Sequence, residues 1–120
     1  MGVVEIVPAT GHSLSGAKFA RDDIAASQTD DVVVAAVAGR KIRVHAVFLM
    51  CGATATTTRF RSKPGGAGTD ISCLFQPGAN GGAVLPFNEV GWFETVIGEG
   101  LAASTGAGSA TGYQIVYTEV

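Results

Sequence analysis

The residues of this sequence with catalytic potential are few and scattered. His12 and His45 are the two histidines, and Cys51 and Cys73 are the two cysteines. A general base such as His45 needs an orienting carboxylate, yet residues 32–69 contain no aspartate or glutamate. No local signature pairs a histidine with a cysteine for nucleophilic catalysis. We therefore expect structural roles for all four side chains, with both cysteines buried as small hydrophobes, and no enzymatic activity.

Metal and phosphate sites are no better supported by residue spacing. The histidines and cysteines show neither C-x-x-C nor H-x-x-x-H spacing. The acidic doublets Asp22-Asp23 and Asp30-Asp31 lack the pattern of a calcium-binding loop. The glycine-rich stretch 106–112 misses the G-x-G-x-x-G spacing and precedes a strand pattern, which indicates a turn. The sequence thus predicts no metal ion and no cofactor.

Composition excludes several classes of protein. Apolar residues make up 47% of the 120 residues, which argues against disorder. The net charge is −2, which argues against a polycationic nucleic-acid binder, and charged residues reach only 15%. Apolar runs such as Ala46 to Cys51 are too short to span a membrane, and no secretory signal is visible. We expect folding in a reducing cytoplasm with free thiols, and neither nucleic acid nor membrane as a partner.

Strand and turn signals follow one another from Val32 onward. Val32 to Val37 is a continuous apolar run, as expected of a strand buried on both faces. Residues 41–46 and 54–63 alternate polar and apolar side chains, residues 47–50 are apolar on both faces, and turn residues recur about every 8–12 residues. The pattern predicts an all-β fold. We expect one antiparallel β-sandwich of about eight strands over residues 32–120, either a jelly roll or immunoglobulin-like.

Residues 1–31 differ from the rest of the chain. Proline, glycine and serine interrupt any periodicity, although Lys18 to Ile24 has the composition of a short strand or a single helical turn. We expect an extended N-terminal arm over residues 1–31 that is ordered by contact with a partner. Its candidate contact residues are apolar: Val3, Val4, Ile6 and Phe19.

The charges are segregated along the chain. Residues 32–69 hold six of the eight basic residues and no acid: Arg40, Lys41, Arg43, Arg59, Arg61 and Lys63. If the two basic strands form a hairpin through Gly52, most of these side chains share one face. That face is either a solvated edge that discourages aggregation or a docking surface for an acidic neighbour. Nucleic-acid binding is the weakest of the three interpretations of this basic face, because few aromatic residues are interleaved with the basic ones.

Trp92 and Phe93 point to opposite faces of one predicted strand. If Phe93 and Ile97 face the core, Trp92 lies on the outside beside Glu94. A bare indole on a surface that is poor in charge favours aggregation. We therefore expect a subunit interface or a loop to cover Trp92, and we include it among the candidate partner-binding residues.

Four stretches carry a resemblance to known proteins, and together they reach over roughly three-quarters of the chain. They are residues 34–44, 85–95, 98–101 and 116–120, of which the block Pro-Phe-Asn-Glu-Val-Gly-Trp-Phe-Glu-Thr at 86–95 is the most specific. Through them the chain resembles small β-sandwich proteins encoded among the structural genes of tailed bacteriophages. Residues 1–31 lie outside the resemblance.

The resemblance implies a non-enzymatic accessory protein of the virion. The implied role is that of a capsid decoration or cement protein, in which a homotrimer on the capsid surface clamps neighbouring shell subunits. Other copies of this chain and the major capsid protein are then the expected partners, after synthesis in the host cytoplasm. An alternative is a tail or fibre module that binds a host receptor or glycan, with Trp92 and Tyr113 exposed to stack on sugar.

Overall fold

Residues 15–120 are the part of the chain that the computed structural model describes, and their regular secondary structure is entirely β. The strands are β1 (Lys18–Ile24), β2 (Asp31–Val34), β3 (Ile42–Cys51), β4 (Thr58–Lys63), β5 (Thr69–Asp70), β6 (Gly82–Leu85), β7 (Phe93–Glu94), β8 (Gly100–Thr105) and β9 (Thr111–Glu119). The prediction of an all-β fold is confirmed for these residues. Four residues of the sequence analysis lie outside the described part: Val3, Val4, Ile6 and His12.

The strands form two antiparallel sheets packed against each other. The five-stranded sheet has the order β1-β9-β3-β6, and β7 also pairs with β3. The four-stranded sheet has the order β2-β8-β4-β5. Neighbouring strands are mostly distant in sequence, so long-range pairing sets the topology.

The core lies between the two sheets and follows the alternation of side chains along each strand. In β4, Thr58, Phe60 and Ser62 are buried, whereas Arg59 and Arg61 point outward, as the sequence pattern predicts. The β3 and β8 strands add further large buried side chains: Ile42, Val44, Val47, Leu49 and Leu101.

A β-bulge in β3 changes which side chains face the core. Its register with β9 shifts between Val44 and Ala46, so His45 is an extra residue on β3. Even-numbered Ile42 and Val44 are buried before the bulge, and odd-numbered residues such as Val47 are buried after it. After the bulge, the outward residues Ala46, Phe48 and Met50 are apolar as well, so the sequence is continuously apolar from residue 46 to residue 51.

The strand predicted over Val32 to Val37 is shorter and less buried than expected. The β2 strand ends at Val34, and Val32 is exposed while Val34 is buried. This strand is at the edge of its sheet, with a register shift between Val32 and Val34. The prediction of a strand buried on both faces is therefore wrong, because only one face of β2 meets the core.

Lys18–Ile24, which the sequence left between a strand and a helical turn, forms the edge strand β1. It pairs antiparallel with β9 along its whole length, from Lys18 opposite Tyr117 to Ile24 opposite Thr111. The buried Ile24 joins the core, and Lys18 Nζ lies 3.2 Å from Glu119 Oε1. Residues 18–24 are thus part of the five-stranded sheet.

Candidate interaction surfaces

The two basic strands do not form a hairpin. The β3 strand belongs to the five-stranded sheet and β4 to the four-stranded sheet. Because Val44 and Phe60 enter one core from opposite sheets, Arg43 and Arg59, which alternate with them, point to opposite outer surfaces. The prediction of one shared basic face is therefore wrong.

On the five-stranded sheet, one carboxylate forms ion pairs with two basic side chains. Glu94 Oε2 lies 3.0 Å from Lys41 Nζ, and Glu94 Oε1 lies 2.9 Å from Arg43 Nε. The β7–β3 pairing places Glu94 directly opposite Arg43. The hydrogen bonds from Lys41 and then Arg43 hold the pKa of Glu94 below its usual range, so the carboxylate stays ionised in weak acid. Arg40 is exposed at the turn before β3.

On the four-stranded sheet, two arginines alternate with two aspartates. Asp70 Oδ2 lies 3.2 Å from Arg59 Nη1, and Asp70 Oδ1 lies 3.1 Å from Arg61 Nε. Arg61 Nη1 also lies 3.4 Å from Oδ1 of the well-buried Asp30, whose other oxygen accepts a 2.9 Å hydrogen bond from the Gly68 amide. This network joins β4, β5 and the residue before β2.

The remaining basic residue of β4 fastens a loop. Lys63 Nζ donates to the carbonyl oxygens of Pro64 and Gly66. Four of the six basic residues of the predicted surface therefore face carboxylates, and a fifth holds its own backbone. The acids that pair with them lie outside residues 32–69, so the charge block is a property of the sequence order rather than of the folded surface.

Trp92 and Phe93 lie on opposite sides of the chain, as predicted. The Phe93 ring stacks on the core residue Phe60 with ring centroids 5.4 Å apart, which confirms that Phe93 faces the core. Ile97 is exposed, so the expectation that it faces the core is wrong; it lies in the turn after β7 rather than in a strand. Trp92 is 42% exposed, and its indole N–H donates a 2.7 Å hydrogen bond to the Pro86 carbonyl oxygen.

Tyr113 is buried, so the expectation that it lies exposed for sugar stacking is wrong. It sits on the core side of β9, where burial raises the pKa of its hydroxyl to about 12. The carboxylates of Asp22 and Asp31 add to this shift.

His45 has both ring nitrogens engaged at the bulge. Nδ1 lies 2.9 Å from the Asn88 carbonyl oxygen, and Nε2 lies 2.8 Å from Thr118 Oγ1. The ring also stacks near Phe87, with centroids 5.9 Å apart. His45 ties β9 and the loop between β6 and β7 to β3, which is a structural role.

The two cysteines differ in exposure. Cys51 is buried, as predicted, and its thiol donates a 3.0 Å hydrogen bond to the Gly78 carbonyl oxygen. Cys73 is exposed, so the prediction that it is buried is wrong. The reason is that β5 ends at Asp70, and the residues that follow it do not continue as a strand.

Within residues 15–120, the structure presents an exposed apolar surface that the sequence analysis missed. The outward sides of β1, β9, β3 and β6 present a set that we term the outer apolar face: Phe19, Ala46, Phe48, Met50, Val84 and Val116. Four of these side chains are prominent, with exposures of 82% for Phe19, 62% for Val84, 47% for Met50 and 45% for Phe48. Phe19, Phe48 and Val84 border a groove of about 500 Å³. Knowledge of the bulge at His45 would have allowed this face to be predicted, because the bulge turns Phe48 and Met50 outward.

Two further findings apply to residues 15–120 alone. They hold no group of three or more histidine, cysteine, aspartate or glutamate side chains placed to bind a metal ion. They also include no helix with the length and apolar character needed to cross a membrane.

Comparison with protein-family models, curated proteins and solved structures finds no match for this chain.

Proposed function

We propose that this chain is a non-enzymatic structural protein of a tailed-phage virion, a capsid decoration protein that stabilises the shell by binding between major capsid subunits. It acts as a homotrimer on the capsid surface and is made in the host cytoplasm. The observation that carries the proposal is the nested pairing of the strands, taken together with the outer apolar face.

The nested pairing favours a jelly roll over an immunoglobulin-like sandwich. The first strand pairs with the last, β2 with β8, β3 with β6 and β4 with β5. A long hairpin rolled into two sheets produces this nesting, with β7 as a short addition to β3. Jelly rolls recur in viral capsid proteins and in lectins. Because a fold hosts many functions, the choice between these classes depends on the surface.

The surface supports assembly rather than sugar binding. Of the two aromatic residues expected to stack on sugar, Tyr113 is buried, and Trp92 is partly exposed with its indole N–H bonded within the chain. The outer apolar face instead offers aromatic and aliphatic side chains to another protein surface. The ionisable groups described above hold the fold together, with carboxylates paired to arginine or lysine and His45 bonded on both sides.

The block that carries the resemblance acts as a clamp on β3. The Asn88 amide donates to the His45 carbonyl oxygen, the Trp92 amide donates to that of Val44, and Thr95 Oγ1 accepts from the Ile42 amide. We therefore infer that its resemblance to phage proteins reflects hydrogen bonds that hold the fold together.

Copy number in purified virions tests the proposed function. The measurement is quantitative mass spectrometry of virions of the phage that encodes this chain, with the major capsid protein as internal standard. A capsid decoration protein is present in hundreds of copies, whereas a tail or fibre module is present in a few dozen at most. Rebinding to shells stripped of the protein should also raise the temperature at which the shells open. Low copy number with no binding to bare shells would overturn the proposal in favour of the tail module.

A further inference from the structure

The outer apolar face is built from rows of side chains that the strand register aligns. Arg21, Gln114, Phe48 and Val84 are successive partners across the sheet and form one row. Asp23, Gly112, Met50 and Gly82 form the next row. A hollow of about 340 Å³ is lined by members of both rows. The first row is tall, and the second row is low at its two glycines.

The two rows complement each other in shape. If one row lies over the other row of a second molecule, Gln114 lies over Gly112, Val84 lies over Gly82, and Phe48 lies over Met50. Gln114 and Val84 then meet glycines, and the Phe48 ring meets the Met50 thioether. Such a fit gives the close packing that protein interfaces need at their centre.

The two rows also complement each other in charge. Arg21 and Asp23 are both exposed on β1, they carry opposite charges, and they lie at the same end of their rows. An arrangement that exchanges the rows therefore places Arg21 of each molecule over Asp23 of the other. Unlike charges that meet in this way favour one orientation and penalise others.

We infer that the outer apolar face binds the same face of a second copy of this chain. The two-fold axis lies in the interface, across the strands and between the two rows. A contact of this kind is isologous and joins two copies, so it is separate from the head-to-tail contacts of a trimer. It goes beyond the proposed function and does not depend on it; because it covers the same outer apolar face, it competes with the binding of that face to a shell.

The size of the face sets the expected strength. Four strands about 4.8 Å apart and two rows about 6.8 Å apart give roughly 260 Å² of projected surface on each copy. Stable protein–protein interfaces bury about 800 Å² on each partner. The contact is therefore expected to be weak, with half-association at tens to hundreds of micromolar.

A charge-swap series on the full chain tests this contact. The association constant is measured by sedimentation equilibrium up to about 1 mM, for the wild-type protein, Arg21→Asp, Asp23→Arg and the double variant. Each single change should weaken association at least tenfold, because it places like charges together twice. The double variant should restore association, because the two-fold axis still pairs opposite charges. Arg40→Asp and Glu89→Arg change exposed charges outside the two rows and should leave association unchanged.

A methyl resonance locates the interface independently. The ε-methyl group of Met50 lies on the face, and Met50→Leu identifies its signal. This signal should shift on dilution of the wild-type protein and stay constant in Arg21→Asp. A wild-type protein that is monomeric up to 1 mM, or a double variant that does not associate, would overturn the inference. An association that persists in Arg21→Asp and is lost in Val4→Asp would also overturn it, because the N-terminal arm would then be what binds the outer apolar face.

Discussion

At the scale of single residues, the buried hydroxyl of Tyr113 leads us to predict that the fold loses stability in alkaline solution. The pKa of Tyr113 is raised to about 12 in the folded chain, against about 10 for an ordinary tyrosine. The unfolded chain therefore loses this proton first, and the folded state is destabilised as the pH rises from 10 towards 12. A pKa difference of this size corresponds to a loss of roughly 2–3 kcal/mol of unfolding free energy. Urea unfolding at several alkaline pH values should show this loss in wild type and not in Tyr113→Phe, while Tyr117→Phe should behave as wild type.

The carboxylate of Glu94 leads us to predict a loss of stability in acid. Its pKa is lowered by Lys41 and Arg43, so its contribution to stability is present above the unfolded pKa and disappears as the pH falls through the folded value. The pair is about one-third exposed, so Glu94→Gln should cost only about 0.5–1 kcal/mol at pH 7. The two proteins should become equally stable near pH 2. Glu89→Gln is the matched control, and an equal loss there would contradict the assignment.

The two thiols are expected to react at very different rates. Cys73 is exposed, whereas Cys51 is buried and bonded to the Gly78 carbonyl oxygen. A thiol reagent added to the native protein should label one equivalent rapidly and the second only as the chain opens. Cys73→Ser should abolish the fast phase. Two fast equivalents would show that the end of β3 is less protected than its packing indicates.

At the scale of elements, Phe93 and Trp92 have separate functions in the short strand β7 and the loop before it. Phe93→Ala removes a ring stacked on Phe60 and should cost about 3 kcal/mol of unfolding free energy. Trp92→Ala should cost less, because its ring is partly exposed and contributes mainly one hydrogen bond to Pro86. Chemical denaturation of both variants checks the order. A larger loss in Trp92→Ala would show that the loop, rather than the core contact, anchors this part of the chain.

Elements were predictable from the sequence where local alternation decides the structure. The β4 strand shows this, because Phe60 is buried between outward Arg59 and Arg61 as its pattern indicates. Pairing between elements was not predictable in the same way. The sequence suggested a β3–β4 hairpin, but burial of Val44 and Phe60 in one core is better satisfied with the strands in opposite sheets.

The surface was the least predictable part, because it depends on long-range register. The bulge at His45 decides that Phe48 and Met50 face outward, and no local pattern identifies that bulge. The partners of the basic residues lie in distant segments, such as Glu94 for Arg43 and Asp70 for Arg61. A charge block in the sequence was therefore a poor guide to the charge of the folded surface.

At the scale of the whole molecule, the charge distribution predicts how this protein meets a large partner. The basic residues of β3 and β4 lie on opposite outer surfaces, where carboxylates neutralise most of them, and the chain carries a net charge of −2. Without a concentrated positive surface, there is little long-range attraction to steer the molecule to an acidic shell.

Association with stripped shells should consequently depend only weakly on salt. The screening length falls from about 10 Å at 0.1 M to about 3 Å at 1 M, which would slow a steered encounter many-fold. We expect less than a threefold change in the association rate over this range, measured by light scattering on shells lacking the protein. Asp70→Asn releases Arg59 and Arg61 from their shared carboxylate, and this variant should gain the salt dependence that the wild type lacks. A steep salt dependence in the wild type would show that its arginines and lysines steer binding despite their carboxylate partners.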